Sequence, residues 1–197
     1  MSRALLPVLL HDIGNTTQRL VGVRALLELD ENALLGDAGA DLAWASERAQ
    51  EQGWLMGFVA ALLGVEISPA RRWPDALGAS LTLVAAGLAR DGYACKLQRS
   101  EIPRWSGAER APSDFELCVA LGAIVFGAGA TQHDVPLEVQ FEARGSQVAV
   151  VGSRGAAAAG AAFAEVAGVL GSGVAFEPVG DAWSVLLPAS WVSWPVR

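Results

Sequence analysis

The apolar pattern of this chain changes period once, at a stretch marked by proline and arginine, Gly64 to Pro74, GVEISPARRWP. Before it, Leu6, Leu9, Ile13, Leu20 and Leu27 recur at intervals of three, four and seven, a helical period. Pro7 suits that helix only in its opening turn. The turn formers Asp30, Asn32, Gly36, Asp37 and Gly39 follow. A second helix is predicted from about Asp41 to Leu63, with Leu42, Ala45, Ala49, Met56, Val59 and Leu63 as its apolar stripe. Two long helices with a short connection make an antiparallel hairpin. Alone, it has one apolar seam too many; a homodimer buries both seams in a four-helix bundle.

After the linker the elements are shorter and mixed. Asp75 to Arg90 reads as a helix, Ala94 to Ile102 alternates as a strand, and Pro103 to Pro112 is a polar loop. Ser113 caps a helix running through Phe126, with Glu116 as its capping-box partner. Leu137 to Ala143 and Gln147 to Val151 are strands around the turn Arg144-Gly145-Ser146. A small-residue helix, Ala156 to Leu170, precedes strands Val174 to Pro178 and Trp183 to Leu187, which turn at Val179-Gly180-Asp181. The expected class is α+β, a hairpin followed by helices layered on a mostly antiparallel sheet. The division falls into residues 1–65 and 74–197.

Hydrophobic residues make up 52% of the chain and charged residues 18%, which excludes a disordered polypeptide and hints at apolar surface buried between subunits. The densest apolar stretch, Leu55 to Val65, is half the roughly 20 residues a membrane span needs. His11-Asp12 stands where a signal peptide would carry its small-residue cleavage site. The expectation is a soluble, cytoplasmic protein that spans no membrane. A net charge of −7 disfavours nucleic acid, and Lys96 is the only lysine. Two cysteines, Cys95 and Cys118, and two distant histidines give neither a disulfide framework nor zinc spacing, so no metal or cofactor is expected.

The chemistry concentrates around His11. Each helical residue advances about 100°, so Asn15, Gln18 and Gly22 line up with His11 in a polar or small stripe turned from Ile13 and Leu20. A histidine placed so is exposed. Asp12 adjoins it, and a carboxylate there can hold the imidazole tautomer or accept a proton. Asn15, one turn on, can position a phosphoryl oxygen or a water. Gly14 and Gly22, with no side chains, leave room for another protein's backbone. Taken without context, a surface histidine beside an aspartate is a solvated pair.

The segment His11-Asp12-Ile13-Gly14-Asn15-Thr16-Thr17-Gln18-Arg19-Leu20 resembles the phosphoacceptor box of bacterial sensor histidine kinases. In that family a histidine, an acidic residue and an asparagine or threonine four positions on open a dimerising helical hairpin, and an α/β ATP-binding domain follows. The element order here is similar. The resemblance implies that His11, Asp12 and Asn15 carry phosphoryl chemistry and that Gly14, Gln18, Arg19 and Gly22 face a docked partner.

Three departures count against kinase activity. The helix matching the magnesium-binding box, DFELCVALGAIVFG, lacks asparagine; the chain's only two are Asn15 and Asn32. The place of the adenine-reading aspartate is held by Val151-Gly152-Ser153-Arg154-Gly155, with no acid. Gly171-Ser172-Gly173 is too short for an ATP lid. His11 comes ten residues after Met1, so no sensor region is expected before it. What remains is similar to the dimeric histidine phosphotransferases of bacterial phosphorelays, which pass a phosphoryl group between receiver-domain aspartates of response regulators without ATP. A second reading is a kinase-derived adaptor that docks on a receiver or kinase and inhibits it, with His11 vestigial. A third, a metal-dependent phosphohydrolase using His11-Asp12 and His133-Asp134, has no further histidines to draw on. In the bland reading His133-Asp134 caps a loop before Pro136.

Overall fold

A computed structural model describes residues 2–29, 37–62, 65, 75–98, 102–105 and 112–193. Among these residues the fold is α+β, with five α-helices and a five-stranded mixed sheet. The helices are α1 (Ser2–Leu29), α2 (Asp37–Leu62), α3 (Ala76–Arg90), α4 (Asp114–Gly129) and α5 (Ala156–Leu170). The strands are β1 (Cys95–Leu97), β2 (Arg104–Trp105), β3 (Leu137–Arg144), β4 (Gln147–Gly152), β5 (Ala175–Val179), β6 (Ala182–Pro188) and β7 (Val192–Ser193).

The main sheet runs β1-β3-β4-β6-β5, parallel only between β1 and β3. β2 and β7 form a separate antiparallel pair, Trp105 opposite Val192. Period-two alternation sends Leu137, Val139 and Phe141 of β3 into the core with Val148 and Val150 of β4. Between them Glu138, Gln140 and Glu142 face away, Glu138 pairing with Lys96 at 3.3 Å. Ser113 caps α4 in a capping box with Glu116. Leu117, Leu121, Ile124 and Val125 of α4 are buried within 1% exposure, as a central helix requires. α5 meets it through small residues: a Cβ on Gly127 would stand 3.4 Å from Ala158 O and from Ala162 Cβ.

α1 and α2 pack side by side in opposite senses, Asp12 beside Arg48 and Arg19 beside Asp41. Their inner faces differ from those read in the sequence. On α1 the buried line is Leu5, Leu9, Thr16 and Val23, while Leu20 is 38% exposed. On α2 it is Ala45, Gln52, Leu55 and Val59; Leu42 and Met56 stay exposed, and Leu63 lies outside the described residues. The apolar spacing misled because Thr16 and Gln52 satisfy one another in the interior. Pro7 lies inside α1, past the opening turn. As the sixth residue of the helix it lacks the N–H that would otherwise bond to the carbonyl of residue 3. Residues 37–40, expected in the turn, begin α2; 30–36 lie outside the described residues, as do 66–74 of the linker. β1 stops at Leu97, short of the strand expected through Ile102.

The lower ends of the helix pair join the α/β layer. Leu5, Leu9, Trp54 and Phe58 belong to one apolar cluster with α3, α4 and the sheet. Trp54 stacks on Phe58 and meets Phe115 edge-on at 5.6 Å. Among the described residues no helix is long and apolar enough to cross a membrane.

Candidate functional site

His11 is exposed on α1, and Asn15 Nδ2 stands 3.3 Å from its Nδ1. With the amide nitrogen toward the ring, Asn15 donates to an unprotonated Nδ1. With the amide turned over, its oxygen accepts from Nδ1–H and the lone pair resides on Nε2. Nε2 has no hydrogen-bond partner among the described residues. In the second arrangement Nε2 carries an exposed lone pair.

Asp12 is the next residue, but the helix turns it about 100° away, onto α2. Arg48 Nη2 donates to its Oδ1 and Oδ2 at 3.0 and 2.8 Å, and Gln52 Nε2 donates to Oδ2 at 2.8 Å. Gln52 Nε2 also donates to Thr16 Oγ1 at 2.7 Å, and Thr16 donates to the Asp12 carbonyl at 3.2 Å. Arg48 reaches Glu51 with its other terminal nitrogen. Sequence reasoning missed Arg48, Glu51, Gln52 and Thr16. The available signal was a polar break at positions 48 and 52 in the 45, 48, 52, 55, 59 line of α2.

A cavity of about 210 Å³ opens beside His11 between α1, α2 and α3, floored by Leu9, Leu55 and Leu83. A second, of about 400 Å³, continues toward Arg104 and Asp75. Arg48, Glu51, Ala79 and Thr82 line both. His11 therefore stands at the mouth of a groove with an apolar floor and paired charges.

The remaining predicted residues divide. Gln18 is exposed, and Gly14 and Gly22 have open space where a Cβ would go. Arg19 is committed: its Nε donates to Asp41 Oδ1 at 2.9 Å, and its guanidinium lies 4.1 Å from the Trp44 ring centroid. His133 stacks on Tyr93 with centroids 3.9 Å apart, its Nδ1 3.4 Å from Gly92 O, and no described contact joins it to His11. Among the described residues no three metal-ligating side chains cluster.

A scan against protein-family models gave no match, and neither did a search of curated proteins.

The glycine motif at Val151 to Gly155 has a packing role. Trp183 Nε1 donates to Arg154 O at 2.8 Å, and its ring fills the space over Gly152. Gly155, at φ +81°, sits against Ala128, where a Cβ would come 2.7 Å from the carbonyl oxygen. Buried Arg154 donates to the carbonyls of Ala128, Gly129 and Gln132 and to Thr131 Oγ1, closing the C-terminus of α4.

Proposed function

We propose that the chain is a histidine phosphotransferase of a bacterial two-component phosphorelay, cytoplasmic and dimeric, moving phosphoryl groups between receiver aspartates through His11. The observation that carries the reading is the imidazole: exposed at the groove mouth, Nδ1 met by Asn15, Nε2 free. In transfer, the Nε2–P bond forms as the acyl-phosphate P–O bond breaks, and the receiver carboxylate leaves with the electron pair. Nδ1–H stays on the ring, held by the Asn15 oxygen. Positioning supplies most of the rate, with charge neutralised by the receiver's own metal ion.

Residues 1–65 serve here as the dimerising phosphotransfer hairpin and 74–197 as a degenerate ATP-binding-like domain. A second copy fits the exposed apolar residues Leu10, Leu20 and Val21 of α1 and Leu42 and Met56 of α2. Because the helices run in opposite senses, both stripes fall on one side of the pair, opposite α3. Gln18 and Gly22, each about 20° from His11 on the wheel, are the open positions for receiver docking, while Gly14 falls beside Val21 at the edge of the apolar stripe.

The test is to mix the protein with a receiver domain loaded with ³²P from labelled acetyl phosphate. Label should move to the wild type and not to His11→Ala, which still dimerises. Equal labelling of both would sink the reading. Receiver binding and inhibition by an unlabelled wild type would favour the adaptor instead.

A further inference from the structure

The buried positions along the inner seam of α1 and α2 are apolar except at one level, which is His11's own; the more exposed Arg19–Asp41 pair joins the helices further along. Below the His11 level lie Leu5, Leu9, Leu55 and Val59; above it, Val23 and Ala45. Between them Thr16 and Gln52 are buried at 3% and 5% exposure, and Asp12 and Arg48 close the layer toward the groove at 33% each. The donors and acceptors are used up in one direction. Gln52 spends both amide hydrogens, on Asp12 and Thr16, and Thr16 spends its own on the Asp12 carbonyl. Arg48 spans both oxygens of Asp12.

Two consequences follow. Sliding α2 by one turn, about 5.4 Å, would break the joint hold of Arg48 and Gln52 on Asp12 and leave at most one of them at its level. The layer therefore sets the register that brings Arg48 and Glu51 level with His11. It also takes the acid next to the histidine out of the proton chemistry. We propose that Arg48 is a positioning residue for transfer at His11, holding the Asp12 carboxylate on α2 so that Asn15 alone manages the imidazole proton. This rests on the phosphotransfer reading above.

The test uses the full chain with ¹⁵N-labelled histidine, whose ring nitrogen shifts report which nitrogen carries the proton. Asp12→Asn should leave the wild-type shifts of His11 unchanged, and Asn15→Leu should alter them. Arg48→Met should alter them by freeing Asp12, and the Asp12→Asn/Arg48→Met pair should return them to wild type. A ring that responds to Asp12→Asn but not to Arg48→Met overturns the proposal. So does a response that persists in the double variant, which would assign it to Glu51. Transfer from the labelled receiver is the second readout. Arg48→Met should lower kcat about tenfold with KM unchanged, and Arg48→Lys should recover most of it; unchanged kcat in a folded Arg48→Met overturns the positioning role. A wild type that takes no label sinks the phosphotransfer reading, whereas the ring shifts separately decide whether Arg48 sequesters Asp12.

Discussion

The indole of Trp183 occupies the space that a side chain on Gly152 would need, its Nε1 2.5 Å from where a Cβ would stand. The two residues face each other across the β4–β6 ladder. Trp183 is 1% exposed and hydrogen-bonded to Arg154 O, so it has nowhere to move. Gly152→Ala should lower stability by about 1–3 kcal/mol through overpacking. Urea denaturation checks this, and an unchanged midpoint would mean the ring can slide.

Arg154 lies in the glycine motif Val151 to Gly155, which holds no acidic residue. Arg154→Asp introduces one there but leaves the α4 carbonyls unpaired and puts a carboxylate among them. The variant should lose roughly 3 kcal/mol or more of stability, and neither it nor the wild type should bind magnesium-ATP. A calorimetric titration giving micromolar affinity for either protein would contradict the departures read from the motif.

Burial pushes the Cys95 thiol from 9.0 up to about 11, with Arg154 pulling weakly the other way. Between these values the folded chain holds the thiol proton more firmly than the unfolded chain does. This contribution to stability is complete below pH 9.0, falls as pH rises, and is lost by about 11. Denaturation curves at about pH 8 and about pH 10.5 should show a steeper alkaline loss for wild type than for Cys95→Ala. Equal losses in the two proteins would rule out the thiol as the source.

The exposed apolar stripe makes a prediction about mass. Light scattering should give twice the 20.5 kDa of the chain for wild type, and Val21→Glu/Met56→Glu should halve it. A wild-type monomer at micromolar concentration would exclude the four-helix bundle.

Local signals made much of the fold legible. Ser113 and Glu116 announced the start of α4, and α5 spans the predicted Ala156 to Leu170. Gly145, at φ +62°, turns β3 into β4 where Arg144-Gly145-Ser146 indicated. The β2–β7 pairing was invisible because Trp105 and Val192 meet only through the tertiary fold. The candidate site was half legible. The stripe of His11 and Asn15 follows from helical period, but the Asp12 environment depends on Arg48 and Gln52, 36 and 40 residues away. Apolar periodicity cannot see a seam whose central layer is polar and satisfied.

His11 and the apolar stripe occupy different flanks of α1, with Leu10 and Val21 about 100° and 80° from it on the helical wheel and Leu20 opposite. In a dimer built across the apolar flank the two imidazoles look outward on opposite sides, each beside the groove of its own subunit. The valence of the assembly is then two, with no steric competition between sites. A receiver titrated into the protein should saturate at one per subunit along a simple hyperbola, and a heterodimer with one His11→Ala subunit should retain half the transfer capacity at full affinity.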